Sequence, residues 1–380
     1  MNKAENFIQQ KLAQRKLDNN FRVLKTASGL IDFCSNDYLG FARSEKLKAL
    51  VEAEISKYPD CLNGSGGSRL LSGNTVFAEE LEQQIASFHQ AEAGLIFNSG
   101  YDANLGLFAS LPQRGDTIIT DKLIHACIID GATLSLANRY SFKHNDLDDL
   151  EKKLKHAKGN IYIAVESVYS MDGDEAPLLE IIRLTQKYNA NLIVDEAHAT
   201  GVFGAGLVQS LNLQNQVFAR TVTFGKALGS HGAIVLGSDN LRNYLVNFAR
   251  SFIYTTAPSF HQLVTTKMAY QLLQEAASTQ NKLQNLIALF KKELQKQHVF
   301  QLIPSNSAIQ SILVPGNATA KQIADHLQKN GFDVRAILSP TVPIGKERLR
   351  ICIHTFNTKE EVATLSLAIS HQLSAIGYQQ

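Results

Sequence analysis

The chain of 380 residues is 44% hydrophobic and 19% charged, an ordinary globular composition with enough apolar material for a large core and more than one domain. Its 37 basic and 35 acidic residues leave a formal charge of +2 without any block of like charges, so nothing suggests a nucleic-acid or anionic-membrane partner. No run approaches the ~18 apolar residues of a membrane span. The cysteines Cys34, Cys61, Cys127 and Cys352 stand singly without a CxxC pair, so neither a metal site nor a disulfide framework is expected.

The stretch from Met1 to Asn6 leads into a polar amphipathic segment that lacks the apolar centre and cleavage site of a signal peptide, and the expected compartment is the cytoplasm. From about residue 90 to about residue 240, short apolar runs alternate with helical patterns, the rhythm of an α/β domain. The expected strands include Gly94 to Phe97, Thr117 to Ile119, Ile161 to Val165, Leu192 to Val194, Thr221 to Thr223 and Ala233 to Leu236. One helix carries Leu147, Leu150 and Leu154 on a single face, and another opens at Pro177, where a missing N–H costs nothing. Beyond about Pro258 the pattern changes to long helices. A strand near 308–314 follows, then a helix across 319–330, strands near 334–338 and 349–353, and a final helix, all consistent with a smaller α+β domain. The expected organisation is a large α/β domain over 41–270 and a small C-terminal domain over 271–380, with a segment 1–40, whose packing the periodicity does not show, expected to pack with the small domain.

In an open α/β sheet, ligands gather beyond the carboxyl ends of the strands, so polar residues that follow apolar runs are the first candidates. Asp195-Glu196-Ala197-His198 ends one run, and Thr223-Phe224-Gly225-Lys226 ends another. Phe97-Asn98-Ser99-Gly100-Tyr101 forms a third junction, where a helix start supplies free N–H groups suited to a phosphate. Taken singly, each has an ordinary reading as a charged strand end, a solvated lysine or a plain turn. Lys226 is not a phosphate-loop lysine, because that motif would need glycine at Arg220 and Ser or Thr at Ala227. No GxGxxG or GxSxG motif offers a dinucleotide or serine-hydrolase alternative. Together, a reactive lysine, an acid on a neighbouring strand end and a phosphate cup are the parts that hold pyridoxal phosphate (PLP). Lys226 would bind the aldehyde as a Schiff base, and Asp195 would keep the ring nitrogen protonated.

The series Ser35-Asn36-Asp37-Tyr38-Leu39-Gly40, Gly64-Ser65-Gly66-Gly67-Ser68, Glu166 to Asp174, Asp195 to His198, Thr223 to Lys226, Ile253 to Thr256, Thr341-Val342-Pro343 and Arg348-Leu349-Arg350 closely resembles the α-oxoamine synthases of the fold-type-I PLP superfamily. The resemblance spans nearly the whole chain. It implies a large domain with a mostly parallel seven-stranded sheet between helices, plus a smaller α+β C-terminal domain. By that resemblance Lys226 would also move the proton at the substrate α-carbon, His125 would stack on the ring, and His198 and Ser170 would bond its phenolic oxygen. Gly100, Tyr101 and Thr223 would bind the phosphate, and Thr255 and Thr256 would reach the phosphate of a partner subunit, making a homodimer with shared active sites. Arg350 would hold the amino-acid carboxylate, while Asn36, Thr341 and Arg22 would line the substrate side.

The implied reaction is that of the biotin branch, a decarboxylative condensation of L-alanine with a pimeloyl thioester, on coenzyme A or a carrier protein, to 8-amino-7-oxononanoate. The alternatives are sister reactions with glycine and acetyl-CoA or with serine and a long-chain acyl-CoA. Two departures touch the acyl side. Ile337-Leu338-Ser339-Pro340-Thr341 stands where family members often have Ile-Arg-Pro-Pro-Thr, and Arg22 is the one nearby candidate for an N-terminal arginine cluster.

Overall fold

Apolar runs become strands where a sheet is covered on both faces, and leucines at helical spacing become the faces that cover it. The computed structural model of the protein describes residues 2–24, 26, 29–60, 63–298, 302–375 and 377. Among them the strands are β1 Ile31–Asp32, β2 Ala93–Phe97, β3 Thr117–Asp121, β4 Asn138–Phe142, β5 Ile161–Glu166, β6 Asn191–Asp195, β7 Ala219–Thr223, β8 Ala233–Gly237, β9 Ile309–Leu313, β10 Phe332–Asp333, β11 Arg335–Ile337 and β12 Arg348–Cys352. The chain divides into two compact units. One comprises Asn36–Ser170 and Asp174–Leu283; the other comprises Met1–Ser35, Met171–Gly173 and Gln284–Gln380.

The larger unit carries a seven-stranded sheet in the order β2-β8-β7-β6-β5-β3-β4. Strands β7, β6, β5, β3 and β4 run parallel to one another, and only β8 opposes the strands beside it, β2 and β7. Alternation along each strand sorts its side chains onto two faces. In β5, Tyr162 and Ala164 enter one core cluster together with Ile193 of β6, Ala219 of β7 and Phe108. Ile161, Ile163 and Val165, with Leu192 and Val194, enter the other, where Leu150, Leu154 and Ile181 cover them. The helix Leu147–Leu154 begins where the Asp146 carboxylate accepts from the Asp149 N–H. The helix Leu178–Tyr188 follows Pro177 and stops at Asn189, whose φ of 49° and ψ of 47° place it in the left-handed region.

Sequence periodicity did not pick out β4. Of its five residues only Phe142 is buried, as suits an edge strand that faces water.

In the smaller unit, β11, β12 and β9 form an antiparallel sheet, and β1 pairs in parallel with β10. The helices Asn317–Lys329 and Lys359–Ala375 bury Ile323, Leu327, Val362, Leu365 and Ile369. No helix among the described residues is long and apolar enough to cross a membrane. Cys34, Cys127 and Cys352 are free thiols, and Cys61 lies outside the described residues.

Candidate active site

The alternation that builds the core also builds the site. Counting on from Ala164, Ile193 and Ala219, the same face of the sheet carries Glu166 at the end of β5, Asp195 at the end of β6, and Thr221 and Thr223 on β7. In register, Glu166 lies beside Asp195, and Asp195 beside Thr221. These strand ends open onto a cavity of about 250 Å³ that Gly100, His125, His198 and Lys226 also line.

Asp195 is 6% exposed and held by two donors. Its Oδ2 accepts from Asn104 Nδ2 at 2.7 Å and its Oδ1 from the Ala197 N–H at 2.9 Å. Asn104 is itself oriented by the Thr221 hydroxyl, which donates to its Oδ1 at 2.8 Å.

Lys226 follows β7 after a short turn, and its Nζ lies 2.8 Å from His198 Nε2. His198 Nδ1 is 2.7 Å from the Tyr38 hydroxyl, which donates to Asn36 Oδ1 at 3.0 Å. The chain of bonds is consistent when His198 carries its proton on Nδ1 and accepts at Nε2 from the lysine.

The helix Gly100–Ser110 starts at the cavity. Ser99 caps it by accepting from the Asp102 N–H, which leaves the first-turn N–H groups of Gly100 and Tyr101 without intrahelical acceptors. A Cβ on Gly100 would come within 2.5 Å of Thr223 Cγ2, so a side chain there would displace the Thr223 side chain. Thr223 Oγ1 is buried without a hydrogen-bond partner among the described residues. The Tyr101 hydroxyl donates to Asp130, so its backbone N–H is the group left for an anion. An orphaned hydroxyl, open helix donors and a glycine packed against Thr223 fit a phosphate monoester. The lysine and the doubly bonded carboxylate fit the aldehyde and ring nitrogen of PLP.

His125 caps the helix Ala126–Leu134, its Nδ1 accepting from the Cys127 N–H at 3.3 Å. Ser170 offers its N–H to Glu166 Oε2 at 3.0 Å. Asn98 Nδ2 bonds both Thr255 Oγ1, at 3.0 Å, and the Thr256 carbonyl, at 2.7 Å, tying that segment to the end of β2.

Within the smaller unit, Arg350 on β12 is buried, with Nη1 3.1 Å from Cys352 Sγ. Arg22 Nη2 donates to Thr341 Oγ1 at 3.5 Å, and both residues line a cavity of about 530 Å³. Arg15, Lys321 and Arg335 line the same cavity.

A second cluster fixes the loops after β3, β4 and β5. His144 sits between Asp121 Oδ1 (3.0 Å) and Asp174 Oδ2 (2.7 Å), edge-on to the Tyr169 ring. Burial pulls its pKa down, but the bonds to Asp121 and Asp174 outweigh burial and push it up to about 9. Because this lies above the ordinary 6.5, the stabilisation is complete below pH 6.5 and vanishes as pH rises through 9. In urea titrations, His144→Gln is expected to cost about 2 kcal/mol at pH 6, with the deficit shrinking towards pH 9. A deficit that does not change with pH would contradict an imidazolium at this position.

The family model described as aminotransferase class I and II matches residues 28–366. The chain belongs to that family. It is 44% identical over 397 aligned positions to the 8-amino-7-oxononanoate synthase of Emericella nidulans, covering 97% of this chain and 94% of the relative. Among solved structures it resembles the serine palmitoyltransferase of S. paucimobilis with a bound PLP–myriocin adduct, with a TM-score of 0.88, 25% identity and 99% and 98% of the two chains covered. It also resembles the 8-amino-7-oxononanoate synthase of Francisella tularensis, with a TM-score of 0.79, 29% identity and 91% and 98% covered. The enzyme is a fold-type-I PLP-dependent acyltransferase, and its seven-stranded sheet and small C-terminal sheet match that fold.

Proposed function

We propose that the enzyme condenses L-alanine with a pimeloyl thioester, breaking the C–S bond and releasing carbon dioxide and the free thiol as 8-amino-7-oxononanoate forms. The convergence of Lys226 and Asp195 on one cavity carries the chemistry. The likeness to the Emericella nidulans synthase supports the choice of substrates.

In this reading PLP supplies an electron sink for the pair of electrons released at the amino-acid α-carbon. Asp195, fixed by Asn104 and Ala197, holds the proton on the ring nitrogen. Gly100, Tyr101 and Thr223 bind the phosphate, with Thr255 and Thr256 serving the phosphate of the partner subunit in a homodimer. His125 would hold the ring face, and His198 and Ser170 would serve its phenolic oxygen. Lys226 Nζ anchors the cofactor, removes the α-proton and returns a proton once carbon dioxide has left. Arg350 pairs with the amino-acid carboxylate through two parallel N–H bonds, a fork that lysine cannot copy. Asn36, Arg22 and Thr341 line the substrate side, and the further cations around Arg22 suit an anionic acyl donor.

The backbone likeness to serine palmitoyltransferase favours a second reading, in which serine and a long-chain acyl-CoA are the substrates. A matrix of alanine, glycine and serine against acetyl, pimeloyl and palmitoyl thioesters separates the two. Turnover highest with alanine and a pimeloyl thioester is expected, and failure of alanine to turn over would overturn the choice.

A further inference from the structure

Tyr38 reaches the site through His198. It is 1% exposed, and its turn is set by Asp37, whose Oδ1 accepts the Ala42 N–H at 3.0 Å and whose Oδ2 accepts from Arg43 Nε at 3.1 Å. Gly229, three residues after Lys226, packs against the same turn, since a Cβ there would come within 2.5 Å of the Phe41 carbonyl carbon. The Tyr38 hydroxyl lies 2.7 Å from His198 Nδ1 and donates to Asn36 Oδ1 at 3.0 Å. Its ring is tilted by 51° to the imidazole with centroids 6.2 Å apart, so the hydroxyl makes the contact rather than ring stacking. A hydroxyl has one proton to give. With that proton on Asn36, Tyr38 receives the one on Nδ1, and Nε2 is left to accept from Lys226 Nζ at 2.8 Å. Among the described residues His198 and Lys226 line the cavity, and Tyr38 does not.

We propose that Tyr38 is a positioning residue for proton transfer, holding His198 so that its Nε2 aims the Lys226 amine. The inference rests on the reading in which Lys226 removes the α-proton of the amino acid. In that step the α-carbon–hydrogen bond breaks, its electron pair stays with carbon, and the proton joins the Nζ lone pair. The lone pair must therefore be both free and directed. An Nε2 that accepts one amine N–H fixes rotation about the Cε–Nζ bond and leaves the lone pair open. An Nε2 that carried the proton would donate into that same lone pair and compete with the α-proton. The Tyr38 hydroxyl selects the first arrangement, because the bond made at one imidazole nitrogen sets the role of the other.

Washout of deuterium from α-deuterated L-alanine, followed by NMR with the holoenzyme and no acyl donor, isolates this step. Tyr38→Phe keeps the buried ring and removes the hydroxyl. It is expected to stay folded by thermal unfolding, to stay yellow and to keep its KM for alanine within about threefold, while washout slows by roughly 10-fold, less than the loss of a positioned base costs. A double-mutant cycle with His198→Gln shows whether Tyr38 acts through the imidazole, and in that background Tyr38→Phe is expected to cost less than about twofold more. Unchanged washout in Tyr38→Phe, or the same factor lost in both backgrounds, would overturn the proposal. Wild-type enzyme that removes no deuterium from alanine would count instead against the choice of amino acid, and the same cycle read with glycine or serine then tests Tyr38.

Discussion

Lys226→Ala is expected to purify as a folded, colourless protein whose acyl transfer falls by roughly 10⁴-fold, the upper range for removing a positioned base. The expectation follows from where the amine sits. Lys226 Nζ bonds His198 Nε2 in the cavity that Asp195 and Glu166 also line, and among the described residues it is the one lysine in that lining. Visible absorbance and turnover measured on one preparation check this, with thermal unfolding as the control for fold. A variant that stays yellow and active would place the anchoring amine elsewhere.

Asp195→Asn should cost almost as much while leaving the cofactor bound. Two unit charges about 3 Å apart at an effective dielectric near 20 attract by roughly 5 kcal/mol before desolvation is counted. At about 1.4 kcal/mol per factor of ten, turnover is expected to fall by roughly 10³-fold. Asn104→Ala removes only the donor that fixes Asp195 Oδ2, and buried hydrogen bonds to charged groups contribute about 1.5–3 kcal/mol. A loss of roughly 10- to 100-fold is expected, with the absorbance of the bound cofactor shifted in the same direction as in Asp195→Asn. Comparing kcat/KM for the amino acid across the three proteins checks the order. A fully active Asp195→Asn would remove the acid from the account.

Much of this site was legible because strands buried on both faces read as unbroken apolar runs. Leu192 to Val194 and Thr221 to Thr223 announced β6 and β7, and the polar residues after them had to lie at the carboxyl edge of the sheet. Glu166 was harder to see. As the last residue of β5 it looks like the first polar residue of a turn, although it shares parity with Tyr162 and Ala164 and so faces Asp195. That alternation was the signal available in the sequence. Asn104 gave none, since a polar residue on a helix reads as solvated until the helix is laid on the sheet and its amide meets Asp195 and Thr221. His144 similarly depends on loops from three strands meeting, which local spacing does not reveal. The cations around Arg22 come from widely separated positions, 15, 321 and 335, and only the fold of the smaller unit gathers them.

In the proposed function one amine, that of Lys226, would hold the cofactor, with Asp195 serving its ring nitrogen. Borohydride reduction of the yellow protein, followed by proteolysis and mass spectrometry of the peptides, tests it most directly. A pyridoxyl phosphate adduct is expected on the peptide containing Lys226. An adduct on a different lysine, or none at all, would contradict it.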